Sequence, residues 1–275
     1  WTVYSDLGDA AQEIVAACGA FTIHHDGAAS LFTDLRDRVR ALEGAEDGEP
    51  LTTPIARERV KRYLTREEHK IDLSDLIRQT AQQTRVDIFD EDRLPLCGED
   101  LADDFTADDR FREYGNLMPT IITLLMTCAY WGDDTVNSGE KAVSNALSTL
   151  APSQSPDGGS NERLRDLRRY PATLGLYGVG LTSIAAGNWS LISYLLTQPI
   201  EVSRSRGRRS VEKNPVEALH PRYLTREWGR GFDREGAEES LRSSMNETLR
   251  EPALEFFTSE SMYEREFKRF EVILD

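Results

Sequence analysis

Cysteine is scarce in this chain of 275 residues, which contains only Cys18, Cys97 and Cys128. Three widely spaced cysteines form neither a disulfide framework nor a CxxC metal pair, so a reducing cytoplasm is the expected location. We interpret each cysteine as a small buried apolar residue, because the sequence shows no partner that would activate a nucleophilic thiol.

Sequence motifs of common enzymes are also missing. There is no GxxxxGK[ST] phosphate loop, no GxGxxG after a predicted strand, no GxSxG elbow and no HEXXH pair. His24, His25 and Asp26 form a local group of metal ligands, but adjacent histidines point in different directions along a helix and no third ligand follows at helical spacing. We therefore expect no catalytic residue, no metal and no cofactor in this segment, and an enzyme is the less favoured interpretation.

Basic residues are fewer than acidic residues. The chain has 48 aspartates and glutamates against 33 lysines and arginines, which gives a formal net charge of −15. Only five of the basic residues are lysines: Lys61, Lys70, Lys141, Lys213 and Lys268. Such a surface repels phosphate backbones, so the composition argues against a general nucleic-acid-binding protein.

One arginine-rich segment is an exception to this acidic composition. Arg204, Arg206, Arg208 and Arg209 form a positive patch flanked by serines, and Trp228 follows in the same loop-rich region. The patch is a candidate contact for a phosphate, a nucleic acid or an acidic surface of the same protein, and the tryptophan is a candidate either to stack on a base or ligand or to pin the loop onto the helical core. The alternative that we favour is a flexible loop whose charge balances its surroundings.

Carboxylates dominate residues 87–110, DIFDEDRLPLCGEDLADDFTADDR. Their order lacks the ligand pattern of a calcium loop, and Pro95 and Gly98 indicate irregular backbone. We predict a solvated linker between an N-terminal helical subdomain, residues 1–86, and a C-terminal helical-hairpin subdomain, residues 111–275. The alternative is a metal-dependent enzyme site formed by these dispersed carboxylates.

Helical patterns occupy most of the sequence. Pro54 and Ser74 are expected near the starts of two helices, and Ser261 with Glu264 has the spacing of a capping box. Apolar residues at helical spacing predict helices over about 6–20, 28–42, 55–69, 74–85, 106–132, 138–151, 235–257 and 261–275. The best short strand candidate is IEVSRS, residues 200–205. The fold class predicted is all-α.

Residues 170–196, YPATLGLYGVGLTSIAAGNWSLISYLL, carry no charged side chain. The run is long enough to cross a bilayer, but Gly187 and Asn188 interrupt it and Pro199 ends it soon afterwards. We predict a core helical hairpin instead, in which one helix ends at Ala186 and the next begins at Trp189. No membrane association is expected.

Small residues in the first of these helices predict close packing. Gly175, Gly178 and Thr182 form a strip at helical spacing that lets a second helix approach, and Gly187 provides the turn before Trp189. NLMPTIITLLMTCAYWG, about 52 residues upstream, shares the early proline, the uncharged helix and the turn glycine near a tryptophan. Two such copies favour stacked helical hairpins, as in a repeat bundle or solenoid with loop-rich insertions.

The stretches RRYPATLGLYGVGLTSIAAGNWSLISYLLTQP, REPALEFF and YEREFKRFEVIL resemble helical C-terminal regions of large prokaryotic proteins. The N-terminal part of those proteins tends to be a sirtuin-like, Toll/interleukin-receptor or nucleoside-triphosphatase effector, often tied to antiphage defence. The resemblance covers about Arg110 to Asp275 and implies a sensing, oligomerising or scaffolding role, but it assigns no catalytic residue. The start at Trp1 and the end within a helical pattern likewise suggest a piece of a longer protein.

These observations predict a non-catalytic helical module for protein contact or self-association, cut from a larger cytoplasmic protein. One alternative is a module that contacts nucleic acid through the arginine-rich segment, with binding that falls steeply as salt rises. Another alternative is an enzyme with an unrecognised carboxylate site.

Overall fold

The computed structural model describes residues 51–65, 69–95, 107–132, 137–151, 167–204, 208–224 and 234–275. The chain divides into two compact units, residues 1–51 and residues 52–275, and every element named below belongs to the second. Several predicted features lie outside the described residues, namely the helices over 6–20 and 28–42, the His24–Asp26 group, Cys18, Cys97, Arg206 and Trp228.

Eleven helices and two strands make up the described part of the second unit. The first five helices are α1 (Thr53–Leu64), α2 (Lys70–Phe89), α3 (Ala107–Leu117), α4 (Pro119–Trp131) and α5 (Asn137–Leu150). The charge-free hairpin follows as α6 (Tyr170–Ala186) and α7 (Trp189–Thr197). Strands β1 (Ile200–Arg204) and β2 (Arg208–Lys213) come next, and then α8 (Pro215–Leu219), α9 (Pro221–Leu224), α10 (Arg234–Ala253) and α11 (Glu260–Leu274).

The all-α class is confirmed, with one two-stranded antiparallel ribbon added to it. The strand predicted at IEVSRS is β1, and it pairs with β2 so that Val202 lies opposite Val211 and Arg204 opposite Arg208. The register shifts between Val202 and Arg204, which is the signature of a bulge or irregularity. The flexible loop favoured for the arginine-rich segment is therefore wrong for the residues in the two strands.

Two helix starts differ from the prediction. A continuous helix over 106–132 is wrong, because α3 ends at Leu117 and α4 begins at Pro119. Proline has no backbone N–H to donate and restricts the residue before it, so it favours the first position of a new helix. The cap predicted at Ser74 is also wrong, since α2 begins at Lys70 with His69 as its N-cap residue.

The last helix, α11, is capped two residues before the predicted position. Its N-cap is Ser259, whose hydroxyl accepts a hydrogen bond from the Met262 N–H at 3.2 Å. Glu264 instead accepts from Arg250 Nη2 at 2.8 Å, which ties α11 to α10. The apolar stripe predicted for this helix is confirmed, because its four members are all buried: Tyr263, Phe267, Phe270 and Leu274.

Helix α6 lies at the centre of the described core. It is buried continuously from Tyr170 to Ile184, and α3, α4, α5, α10 and α11 all pack against it. A helix that is apolar on every side is stable only where neighbours cover every side, which agrees with the core hairpin predicted for residues 170–196. No helix among the described residues is long and apolar enough to cross a membrane.

Helices from both sides of the acidic segment 87–110 pack together. α2 precedes most of the segment and α5 follows it, and the two lie side by side within the single unit of residues 52–275. Residues 96–106 lie outside the described part of the chain. The linker and the subdomain boundary assigned to 87–110 remain predictions.

Candidate interaction site

The turn between α6 and α7 is built by Gly187 and Asn188. Gly187 has φ of 73°, in the left-handed region that glycine adopts without a steric cost. Its N–H donates to the Ile184 carbonyl at 3.1 Å, and the Asn188 N–H donates to the Ser183 carbonyl at 2.8 Å. These two bonds satisfy carbonyl groups at the end of α6 and fix the direction in which α7 leaves.

Asn188 joins this turn to the end of α4. Its Oδ1 accepts from the Leu191 N–H at 3.1 Å and so caps α7. Its Nδ2 donates to the carbonyls of Ala129 at 3.3 Å and Gly132 at 3.4 Å. The C-terminal ends of α4 and α6 therefore lie together, so the two similar stretches detected in the sequence are packed neighbours.

Glycines in α6 lie where neighbouring side chains come close to the helix backbone. A Cβ at Gly175 would be 2.8 Å from Leu147 Cδ2, and one at Gly178 would be 3.2 Å from Met126 Cγ. The Thr182 hydroxyl donates to the Gly178 carbonyl at 2.9 Å, which satisfies a buried polar group within the helix. The small side chains thus leave room for α4 and α5.

Gly180 has the closest neighbour among the described glycines of α6. A Cβ built there would overlap the ring of Phe270, which belongs to α11 and is 1% exposed. In the sequence, Gly180 is only one more glycine within a helical pattern. No local signal identifies the partner ring, because Phe270 is ninety residues further along the chain.

Two half-exposed tryptophans flank the contact between Asn188 and Gly132. Trp131 is 54% exposed and Trp189 is 47% exposed. Lys61 Nζ lies 5.5 Å from the centre of the Trp131 ring, and Arg269 Cζ lies 5.1 Å from the centre of the Trp189 ring. Each ring therefore carries a cation within the range of a cation–π interaction.

More apolar surface adjoins the Trp131 side. The centre of the Tyr130 ring lies 5.2 Å from the centre of the Trp131 ring and 5.1 Å from that of Phe256. Leu254, two residues before Phe256 in the chain, is 38% exposed. We call this surface the turn face and define it by six residues: Lys61, Tyr130, Trp131, Trp189, Leu254 and Arg269. Among these, only Trp189 was predicted as part of a site, because exposure of an aromatic side chain leaves no mark in a helical pattern.

The turn face carries charges of both signs. Lys61 Nζ lies 3.3 Å from Glu58 Oε1, and Arg269 Nη1 lies 3.4 Å from Glu266 Oε2. Glu255, beside Leu254, forms an ion pair with Arg57. These pairs are partly exposed, so each contributes only about 0–1 kcal/mol to the stability of the chain.

The arginine-rich segment forms the ends of the β1–β2 ribbon. Arg204 is the last residue of β1 and pairs in register with Arg208, the first residue of β2, and Arg209 follows it. The backbone thus brings Arg204 and Arg208 to the same end of the ribbon. The role predicted for this segment in binding phosphate or nucleic acid remains a prediction.

Among the described residues, no three histidine, cysteine, aspartate or glutamate side chains lie close enough together to hold a metal ion.

Cys128 is buried, and its burial raises the pKa of the thiol to about 12. The interpretation of Cys128 as a small buried residue is confirmed. A thiol with so high a pKa holds its proton at neutral pH and is a poor nucleophile.

His220 is a buried histidine that no sequence motif marks. It is 2% exposed, its Nδ1 accepts from the Arg222 N–H at 3.1 Å, and its Nε2 lies 3.2 Å from Asp275 Oδ1. Since Nδ1 accepts a hydrogen bond, the neutral ring carries its proton on Nε2 and donates it to Asp275. Burial lowers the pKa of His220, and this effect exceeds the opposing attraction of Asp275.

The buried state of His220 predicts a loss of stability as pH falls. Below the unfolded-state pKa of 6.5, the unfolded chain binds a proton that the folded chain resists, so acid favours unfolding. Glu271 acts in the opposite direction at lower pH, because burial raises its carboxyl pKa above 4.5. Urea denaturation between about pH 7.5 and 5.5 should therefore show a falling free energy of unfolding.

The matched variant for this prediction is His220→Gln, which removes the titrating ring but keeps a polar side chain. We expect its free energy of unfolding to vary less with pH over the same interval. An equal slope in the two proteins would show that other groups cause the pH dependence.

In comparisons with known proteins, no protein-family model, curated protein or solved structure matches this chain.

Proposed function

We propose that this chain is a non-catalytic helical interaction module that binds protein through the turn face. The observation that carries the proposal is the pair of half-exposed tryptophans, Trp131 and Trp189, each with a cation over its ring. Tryptophan and arginine are enriched among the residues that contribute most to protein–protein binding. Covering a large aromatic ring that is half exposed to water removes apolar surface from water, and this contributes favourably to the free energy of binding.

The turn face is attached to an ordered part of the fold, which favours recognition. Asn188 links the ends of α4 and α6. Trp131 and Trp189 are therefore attached to backbone that hydrogen bonds already hold in place. Binding then requires little additional ordering, and a larger share of the contact energy is available for affinity.

We propose a second copy of this chain as the occupant of the turn face. A two-fold contact brings the same surface of both copies together, so the surface has to be complementary to itself. Lys61 and Arg269 supply cations, while Glu58 and Glu255 supply carboxylates at the same surface. Such a mixture lets the cations of one copy meet the carboxylates of the other around an apolar centre.

Stacked helical hairpins, as in repeat proteins, are the architecture that belongs with this proposal. The contact between α4 and α6, with both C-terminal ends tied by Asn188, supports stacking of two related units. A place in a larger cytoplasmic protein, with a role in antiphage defence, remains an expectation from the resemblance described above.

Nucleic-acid contact through the ribbon is the second candidate function. Its supporting observation is the register that puts Arg204 opposite Arg208. Binding of this kind falls steeply with salt, because it releases counterions from the phosphates. Self-association of an acidic chain has the opposite dependence, since salt screens the repulsion between two copies with a net charge of −15 each, and this effect exceeds the loss of a few exposed ion pairs worth about 0–1 kcal/mol each.

The test of the turn face is the double variant Trp131→Ala with Trp189→Ala. We expect its dimer dissociation constant, measured by sedimentation equilibrium, to be weaker by about tenfold or more. Circular dichroism should remain that of the wild type, because both rings are already half in water.

Val86→Ala is the matched control. Val86 is 62% exposed and lies near the C-terminal end of α2, whose Phe89 contacts Arg168 just before α6 begins. It therefore lies at the opposite end of α6 from the turn face. Equal dimer affinity in the double variant and in Val86→Ala would contradict the proposal.

A further inference from the structure

Two buried arginines from different elements lie near the start of α6. Arg168 is 1% exposed and precedes the helix by two residues, and Arg110 in α3 is 0% exposed. They are close enough for the charge of Arg110 to contribute to lowering the pKa of Arg168, although burial is the larger cause. Burying a guanidinium is costly unless its N–H groups are paired, so the partners of each arginine matter.

Arg110 has partners within the fold. Its Nη2 donates to the Pro95 carbonyl at 2.7 Å, and its Nη1 lies 3.1 Å from Glu113 Oε2. Arg110 is thus held in place by its own surroundings. Its charge is partly offset by Glu113 but still acts on Arg168, so it adds to the positive potential there.

Arg168 is different, because one edge of its guanidinium has no well-aligned hydrogen bond, although the Tyr114 hydroxyl interacts with the guanidinium and favours its charged form. Nε and Nη2 are both buried, and neither donates a hydrogen bond within the part of the chain that the structure describes. These two nitrogens form the side-on edge, whose parallel N–H groups match two oxygens of a carboxylate or phosphate. The centre of the Phe89 ring lies 4.5 Å from Arg168 Cζ, so the ring covers one flat face of the guanidinium. A polar ligand therefore has to approach the guanidinium along its edge.

Tyr114 contributes a third donor. It is 0% exposed, and its buried hydroxyl donates no hydrogen bond to any described residue. Burial raises the pKa of this hydroxyl to about 12, against the opposing charges of Arg110 and Arg168 and against the interaction of the hydroxyl oxygen with the Arg168 guanidinium, which leaves the hydroxyl proton to be donated. The hydroxyl is therefore neutral at physiological pH, and beside a cationic edge it is suited to donate to the same acceptor.

We propose that Arg168 and Tyr114 bind a small oxyanion through hydrogen bonds. Arg110 does not contact the oxyanion, but its positive charge strengthens the attraction. Carboxylate and phosphate groups share the required chemistry, namely two oxygens for the Arg168 edge and a further lone pair for the Tyr114 hydroxyl. The site is separate from the turn face, which lies at the other end of α6.

Glu91 is the competitor for this site. Its Oε1 lies 3.7 Å from Arg168 Nη2, beyond hydrogen-bonding distance, and its side chain is 61% exposed. An incoming oxyanion would displace this exposed carboxylate rather than a packed group. Glu91→Gln removes the competing charge, so we expect the oxyanion to bind about tenfold more tightly to that variant.

The experiment is thermal unfolding of the chain in sodium phosphate, sulfate or acetate, against sodium chloride at equal ionic strength. An oxyanion that binds the folded chain raises Tm by mass action, by about 2–5 °C at roughly tenfold its dissociation constant. Acetate separates carboxylate recognition from recognition of a tetrahedral anion. The increase should be larger in Glu91→Gln at equal anion concentration.

Tyr114→Phe and Arg168→Lys locate the effect. Phenylalanine removes only the hydroxyl and lysine keeps the charge but loses the paired N–H edge, so both should weaken anion-dependent stabilisation by about tenfold. An equal Tm increase in all variants would place the anion elsewhere and overturn the proposal. The proposal would also be overturned if oxyanions raised Tm no more than chloride does in both the wild type and Glu91→Gln. Glu91 or another group of the chain would then suffice as the partner of Arg168.

Discussion

Replacing Gly180 with alanine is expected to lower the free energy of unfolding by about 2–3 kcal/mol. The added methyl group would overlap the Phe270 ring, and that ring is buried against Tyr177 with their centres 5.2 Å apart. Alanine gains about 1 kcal/mol of helix propensity, so the packing cost has to exceed that gain. Urea denaturation monitored by circular dichroism measures the difference.

Gly178→Ala is the matched control, since it makes the same change two residues earlier in α6. Its Cβ would lie 3.2 Å from Met126 Cγ, on a flexible side chain that is able to adjust. We expect a change within about 1 kcal/mol. Equal losses in the two variants would contradict a specific fit between Gly180 and Phe270.

A second background isolates the contact itself. In Phe270→Leu the side chain opposite Gly180 is smaller, so the added methyl group should cost less than half of its cost in the wild type. Additive losses from the two substitutions would show that Gly180 and Phe270 do not interact.

Replacing Asn188 with alanine is expected to cost about 2 kcal/mol. The substitution removes the cap of α7, where Oδ1 accepts from the Leu191 N–H at 3.1 Å. It also removes the two donations from Nδ2 to the end of α4, at 3.3 Å to Ala129 and 3.4 Å to Gly132. Urea denaturation of the purified variant measures the loss.

Asn188→Asp separates the two roles of this side chain. Aspartate is an equally good N-cap, but it cannot donate to the carbonyls of Ala129 and Gly132. Its free energy of unfolding should therefore be lower than that of the wild type even though the cap of α7 is kept, because a carboxylate oxygen would face these two carbonyl oxygens. A loss of stability confined to the alanine variant would assign the whole effect to capping and would contradict a stabilising link from Asn188 to the end of α4.

The hairpin could be predicted from sequence because its signals are local. A glycine and an asparagine interrupt an uncharged run, and a left-handed glycine followed by an N-cap asparagine is a common way to end one helix and begin another. The stripe of α11 was predictable for the same reason, since its spacing places Tyr263, Phe267, Phe270 and Leu274 on one side of a helix.

Other features depend on contacts that are distant in sequence. Arg110 and Arg168 occur in charged stretches, where exposure is the usual outcome, and only the packing around α3 and the start of α6 buries them. The choice of Ser259 over Ser261 as the cap of α11 also depends on where the preceding chain arrives. Exposure of Trp131 follows from the end of α4, which no pattern of apolar residues specifies.

The measurement that tests the proposed function most directly is the molar mass of the wild type by light scattering after size-exclusion chromatography. Runs at several loading concentrations, at low and at high salt, should show a dimer whose share grows with concentration and with salt, because salt screens the repulsion of chains with a net charge of −15. A monomer at every concentration and salt would contradict self-association through the turn face.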